Sequence, residues 1–165
     1  MNSRGCDFDV RPIADWQLPQ VPPLIRSAVQ AGARVHYSDT QISAWIRSQT
    51  VGDSSPYSCT FAAFARGEMV GIGRADLRST YPLRFVFVAP DHWRRGIGRA
   101  LVISVEQFCA RGGVHEVYLA AALNAVGFYE VLGYKVHGRM IVCLSPELES
   151  GYQVEMQALE MSKSV

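Results

Sequence analysis

Trp93-Arg94-Arg95-Gly96-Ile97-Gly98-Arg99-Ala100 joins an apolar strand, Leu83 to Val88, to an amphipathic helix that starts near Gly96. The helix carries Ile97, Leu101, Val105 and Phe108 on its inner stripe, and Gly112-Gly113 stops it. Backbone N–H groups at a helix start have no intrahelical partner and together carry roughly half a positive charge, which suits a phosphate. Gly96 and Gly98 let the main chain approach an anion with no Cβ in the way. Arg94, Arg95 and Arg99 add charge around the same point. Taken alone, the pattern also describes a tight turn with solvated arginines. Two familiar phosphate loops fail here. A dinucleotide-binding loop would want a third glycine where this chain has Leu101, and the Gly-Lys-Ser/Thr of a P-loop is absent.

Downstream, Val117 to Ala121 reads as a strand, so strand, helix and strand imply a right-handed crossover and a parallel pair. Asn124 stands where it can cap a short helix with Ala125, Phe128, Tyr129 and Leu132 on one face, ended by Gly133. Tyr134 to Val142 and Gln153 to Met161 should close the domain as a hairpin. Upstream, Phe8 to Ile13 is a first strand. Leu24, Ala28, Val29 and Val35 fall near the helical period, predicting a helix over about residues 23 to 34. Ser38-Asp39-Thr40-Gln41 is a capping box for a second helix that buries Ile42, Trp45 and Ile46. Tyr57 to Ala65 and Met69 to Asp76 form a hairpin around Arg66-Gly67-Glu68. Leu83 to Val88 is nearly continuous in apolar character, as a strand buried on both faces should be. The sum is one α/β domain over the 165 residues. Its mixed sheet is antiparallel at the ends with one parallel step, and it carries about four helices.

Sixteen basic against fifteen acidic side chains give a net charge of +1, which leaves no broad electrostatic footprint for nucleic acid. Cys6, Cys59, Cys109 and Cys143 form no Cys-x-x-Cys pair or Cys/His cluster, so reduced thiols and no metal site are expected. The chain shows neither a secretory leader nor a long apolar run, so a cytoplasmic protein without a membrane partner is expected.

Val86-Phe87-Val88-Ala89-Pro90 followed by Arg95-Gly96-Ile97-Gly98-Arg99-Ala100-Leu101 resembles the acyl-CoA signature of the GCN5-related N-acetyltransferase (GNAT) superfamily. Leu123-Asn124-Ala125-Val126-Gly127-Phe128-Tyr129-Glu130-Val131-Leu132-Gly133-Tyr134 is similar to that family's second signature. Arg11-Pro12 and Gly67-Glu68-Met69-Val70-Gly71 match as well, so the resemblance covers nearly the whole chain. His36-Tyr37-Ser38, with Gln41 and Ala44-Trp45, is further similar to a group of small bacterial members of unassigned substrate.

The resemblance implies that the strands ending near Val88 and Ala121 splay apart to admit the pantetheine of acetyl-CoA. The pyrophosphate would sit on the amides of Arg95, Gly96, Gly98 and Arg99, with Arg94, Ile97 and Phe87 in the same cofactor-binding set. The Val88 N–H would face the thioester oxygen. Asn124 would meet the cofactor, cap its helix, or do both. Tyr129 is placed to protonate the leaving thiolate, whose thiol has a pKa of about 8.5; otherwise it is a core tyrosine. His36 and Tyr37 would wall the acceptor pocket or form a capped turn on Trp45. Two departures stand out. Trp93 replaces a frequent Arg or Gln, and Arg84 stands near where many relatives carry a strand acid. The base is then Asp76, Glu155 or none, with the neutral amine captured directly. Glu147 and Glu149 can bring carboxylates to the acceptor side.

The implied function is transfer of an acetyl group from acetyl-CoA to a primary amine, of a small molecule or of a peptide or protein, in a ternary complex. The alternative is an acyl-CoA sensor that binds without turnover. Homodimers through sheet edges are common in such folds.

Overall fold

The computed structural model describes residues 7–49, 51, 55–144 and 153–165. Strand β1 (Asp9–Pro12) is followed by a 3-10 turn (Asp15–Gln20) and the helices α1 (Val21–Ala33) and α2 (Asp39–Ser48). Then come β2 (Ser58–Ala65), β3 (Glu68–Asp76), β4 (Leu83–Val88) and α3 (Ile97–Arg111). The chain continues through β5 (Glu116–Ala122), α4 (Val126–Val131), β6 (Lys135–Leu144) and β7 (Val154–Ser164). Helix α1 starts earlier than its apolar spacing suggests and takes Pro22 and Pro23 into its first turn, where the missing N–H would have no partner anyway. It ends before Val35, which is 89% exposed and does not share the helix's buried face. The α2 capping box is formed, with Gln41 N donating to Ser38 Oγ at 3.2 Å and Ser38 N to Gln41 Oε1 at 2.9 Å.

The strands make two antiparallel sheets, ordered β1-β2-β3-β4 and β5-β7-β6. Among the described residues β4 and β5 share no ladder. The parallel pair expected from the crossover is therefore a splayed one, whose strands approach each other without joining in a ladder. The closing hairpin is as the sequence predicts, with β7 inserted between β5 and β6.

Helix α3 packs on β3 because β3 offers it glycine. A Cβ on Gly71 would lie 2.9 Å from Ile97 Cγ2 and 3.0 Å from Leu101 Cδ1, and one on Gly73 would lie 3.4 Å from Leu101 Cβ. Side chains alternate along a strand, so Ile72 faces the other way, into a core with α1 and α2, and Arg74 follows it. Strand β4 departs from its expected burial on both faces. Its register skips Arg84, since Arg74 pairs with Phe85 and Ala75 with Leu83. This bulge breaks the alternation. Leu83 joins the core under α3, whereas Phe85 and Phe87 join the core under α1 and α2.

Tyr37 ties the α1–α2 turn to the rest of the molecule. It is 6% exposed, donates its hydroxyl to Gln157 O at 2.6 Å and accepts from Leu123 N at 2.8 Å. Tyr37→Phe leaves both main-chain groups without that partner. A loss of about 1–3 kcal/mol is expected, read from urea unfolding.

Candidate active site

The gap between β4 and β5 opens into a cleft of about 1550 Å³. Its walls come from α1 and α2, from β3 and β4, from the start of α3, from Leu119 to Tyr129, and from β6. The Ala89 N–H donates to Val70 O at 2.8 Å, so Ala89 faces β3. Neighbouring residues of a strand point their main-chain groups to opposite sides, so those of Val88 point into the cleft. The Val88 carbonyl is already occupied: Trp93 Nε1 donates to it at 2.7 Å. That leaves the Val88 N–H directed at the space between the strands.

Beyond the same end of β4 lies the helix entrance. Arg94 (φ 60°) and Gly96 (φ 82°) both adopt the left-handed conformation, which turns the main chain sharply on either side of Arg95. From Arg94 to Arg99 no main-chain N–H has a protein acceptor among the described residues; the first that does is Ala100, whose N–H donates to Gly96 O at 3.0 Å. Two left-handed residues at the mouth of a helix leave a concave array of amides, the arrangement that binds anions. Gly98 is needed for a second reason. A Cβ there would lie 3.1 Å from Phe128 Cζ, so α4 closes directly over the helix start.

Phe87, Val88, Arg94, Gly96, Ile97, Gly98, Arg99 and Asn124 all line this cleft, whereas Arg95 is exposed outside its lining. Asn124 does not cap α4. It lies inside a 3-10 turn (Leu123–Ala125), and the capping position falls to Ala125, because the helix starts one residue later than the motif suggests. Its side chain reaches across to α1 instead, with Nδ2 3.1 Å from where a Cβ on Gly32 would be. His36 is exposed and Tyr37 is buried in its two hydrogen bonds, so neither reaches the cleft lining. Tyr37 packs edge-on against Trp45 with ring centroids 5.8 Å apart, and acts on the site by holding Leu123 beside Asn124.

Tyr129 is 6% exposed yet borders the cleft, and its hydroxyl has no hydrogen-bond partner among the described residues. Burial pushes that hydroxyl above the ordinary tyrosine pKa, so it stays protonated at neutral pH. Of the two acids considered as a base, Asp76 lines the cleft and Glu155 does not. The Asp76 carboxylate accepts from Arg78 N at 3.0 Å. Glu147 and Glu149 lie outside the described residues.

Sequence reasoning missed one neighbour of the site, Arg74, and undervalued two others. Trp93, which departs from the frequent Arg or Gln, still acts as a donor through its indole N–H, to Val88 O. His92, which its place beside Trp93 suggests is exposed near the cofactor entrance, borders the cleft half-buried, with its Nδ1 buried and unpartnered among the described residues. Arg74 gave no motif signal, since its burial depends on cross-strand partners. No group of metal-binding side chains occurs among the described residues, and none of their helices is long and apolar enough to cross a membrane.

Comparison with known proteins places this geometry. The chain superposes on a GCN5-related N-acetyltransferase from Rhodopseudomonas palustris with a TM-score of 0.78 at 21% identity, covering 95% of each chain. The PaiA N-acetyltransferase from Thermoplasma acidophilum, solved in complex with coenzyme A, gives 0.74 at 19% identity, covering 96% of this chain and 99% of that one. Rat N-acetyltransferase family 8 member 3 is 36% identical over 95 residues, 52% of this chain and 42% of that protein. The chain thus spans less than half the length of this mammalian relative. The model of the acetyltransferase (GNAT) family matches residues 18–134, well over half of the sequence, and the protein belongs to that family.

Proposed function

We propose that the chain transfers an acetyl group from acetyl-CoA to a primary amine by direct attack within a ternary complex. The observation that carries this reading is the unladdered gap between β4 and β5, which runs into the bare amides from Arg94 to Arg99. The residues present fit the cofactor. Arg94, Arg99 and the helix-start amides would hold its diphosphate, and the open edge of β4 would pair with the pantetheine amides as an added strand does. The Val88 N–H is placed to stabilise negative charge that develops on the thioester oxygen. As the C–N bond forms and the C–S bond breaks, the Tyr129 hydroxyl supplies the proton that the leaving sulfur needs. The amine loses its own proton to water or, through water, to Asp76.

One observation favours a second reading. Asp76 is the single carboxylate in the described lining, and a main-chain N–H already engages it. A module with so little basic equipment would bind acyl-CoA and not turn it over. Calorimetry with acetyl-CoA and measurement of free thiol against a panel of primary amines separate the two. Binding with thiol release upholds the transferase, and binding with no release for any amine upholds the sensor. No heat at millimolar acetyl-CoA removes both.

A further inference from the structure

We infer that the end of the cleft away from the start of α3 is a carboxylate subsite built on Arg74, and that the acetyl acceptor is an amine joined to a carboxylate by a chain of several bonds. The inference rests on the transferase reading above and narrows its acceptor. Arg74 is 8% exposed and lines the cleft. Its Nη1 donates to Thr60 Oγ1 at 2.8 Å and its Nη2 to Ser58 Oγ at 3.4 Å. Those two hydroxyls use only part of the guanidinium's fan of N–H donors and neutralise none of its charge. Among the described residues Arg74 makes no ion pair. A cation buried without a counter-ion is expensive, and an isosteric apolar side chain would serve the fold better. Such a group is retained where a ligand completes it.

The surroundings select the sign and the shape of that ligand. Arg78 and Arg84 line the same end. Arg84 Nη1 is steadied on Ser79 Oγ at 2.8 Å. Asp76 is the only carboxylate among these described residues, and its Oδ1 accepts from Arg78 N at 3.0 Å. The balance is cationic, so a polyamine would be repelled and a planar carboxylate would meet a matching fork. The register sets the length. Gly71 pairs with Val88 and Arg74 with Phe85, three positions apart along β4, which is roughly 10 Å at about 3.3 Å per residue. An α-amino acid is too short to place its nitrogen near Val88 while its carboxylate reaches Arg74. Phe85 and Phe87 lie on this stretch of β4, and with Trp45 and Met156 they give the cleft apolar lining suited to a methylene chain.

The test is calorimetry on the full chain saturated with coenzyme A, titrated with 6-aminohexanoate, hexylamine and 1,6-diaminohexane. The aminocarboxylate should bind about tenfold or more tightly than either other amine, the worth of a charge-assisted contact. Arg74→Met should abolish that preference while affinity for coenzyme A is unchanged, and Arg74→Lys should keep part of it. Equal binding of the three amines, or a preference that survives in Arg74→Met, overturns the inference. Should Arg74→Met fail to fold, seen as lost coenzyme A binding, the ranking in the unsubstituted chain and in Arg74→Lys decides. Heat with coenzyme A but no carboxylate preference removes this inference alone; no heat with coenzyme A removes the transferase reading too.

Discussion

Replacing Tyr129 by Phe is expected to lower kcat by about 10²-fold or more while affinity for acetyl-CoA stays within about twofold. The ring supplies packing, since it meets Phe128 and Tyr134 with centroids 5.0 and 5.5 Å away, and phenylalanine keeps those contacts. Only the hydroxyl is lost, and it has no hydrogen-bond partner among the described residues while the residue borders the cleft. Single-turnover thiol release checks the prediction. Unchanged turnover across the pH range would leave Tyr129 a core residue. Alkaline stability provides a second readout. Burial raises the Tyr129 pKa, and burial followed by the nearby Glu106 charge raises that of Tyr134. A raised folded-state pKa favours the neutral form on folding. The contribution is therefore complete below the ordinary tyrosine value of 10.0 and is lost as pH climbs beyond it. Urea unfolding should show stability declining above about pH 10, and less steeply in Tyr129→Phe.

Gly71→Ala should cost about 2 kcal/mol and weaken acetyl-CoA binding although Gly71 lies outside the cleft lining. The added methyl would stand 2.9 Å from Ile97 Cγ2 and 3.0 Å from Leu101 Cδ1, and these side chains are 2% and 0% exposed. Neither can swing aside in a close-packed interior, and the β-branched Ile97 is stiff at χ1. The start of α3 must then lift off β3, carrying with it the amides that face the anion. A fall in Tm of about 4–8 °C is expected for a chain of this size, together with a weaker calorimetric affinity. Lost stability with intact affinity would show that the helix entrance is held independently of this contact.

What could be read from the sequence is what neighbouring residues decide among themselves. The Ser38–Gln41 capping box, the closing hairpin and the glycine-bearing helix entrance each depend on a few consecutive side chains. Long-range placement was harder to read. The Arg84 bulge arises from the pairing of β3 with β4, and it alone sends Leu83 and Phe85 to different cores. Tyr37 looked like a pocket residue because its partners, Leu123 and Gln157, lie 86 and 120 positions away. Asn124 looked like a cap because a 3-10 turn and the first turn of an α-helix share the same local sequence signs.

A bare strand edge is ordinarily a hazard, since its free amides and carbonyls recruit strands from other molecules and seed aggregation. This chain keeps two such edges, those of β4 and β5, and turns them toward each other inside a walled groove. The outward edges are defended in other ways. Strand β1 is four residues long, ends in Pro12 and carries an Arg11–Asp9 pair at 3.2 Å. Strand β6 bears Lys135, His137 and Arg139 and is kinked between Val136 and Gly138. On the reading proposed above, the hydrogen-bonding capacity that would make the protein self-associate is reserved for a small molecule narrow enough to slide in.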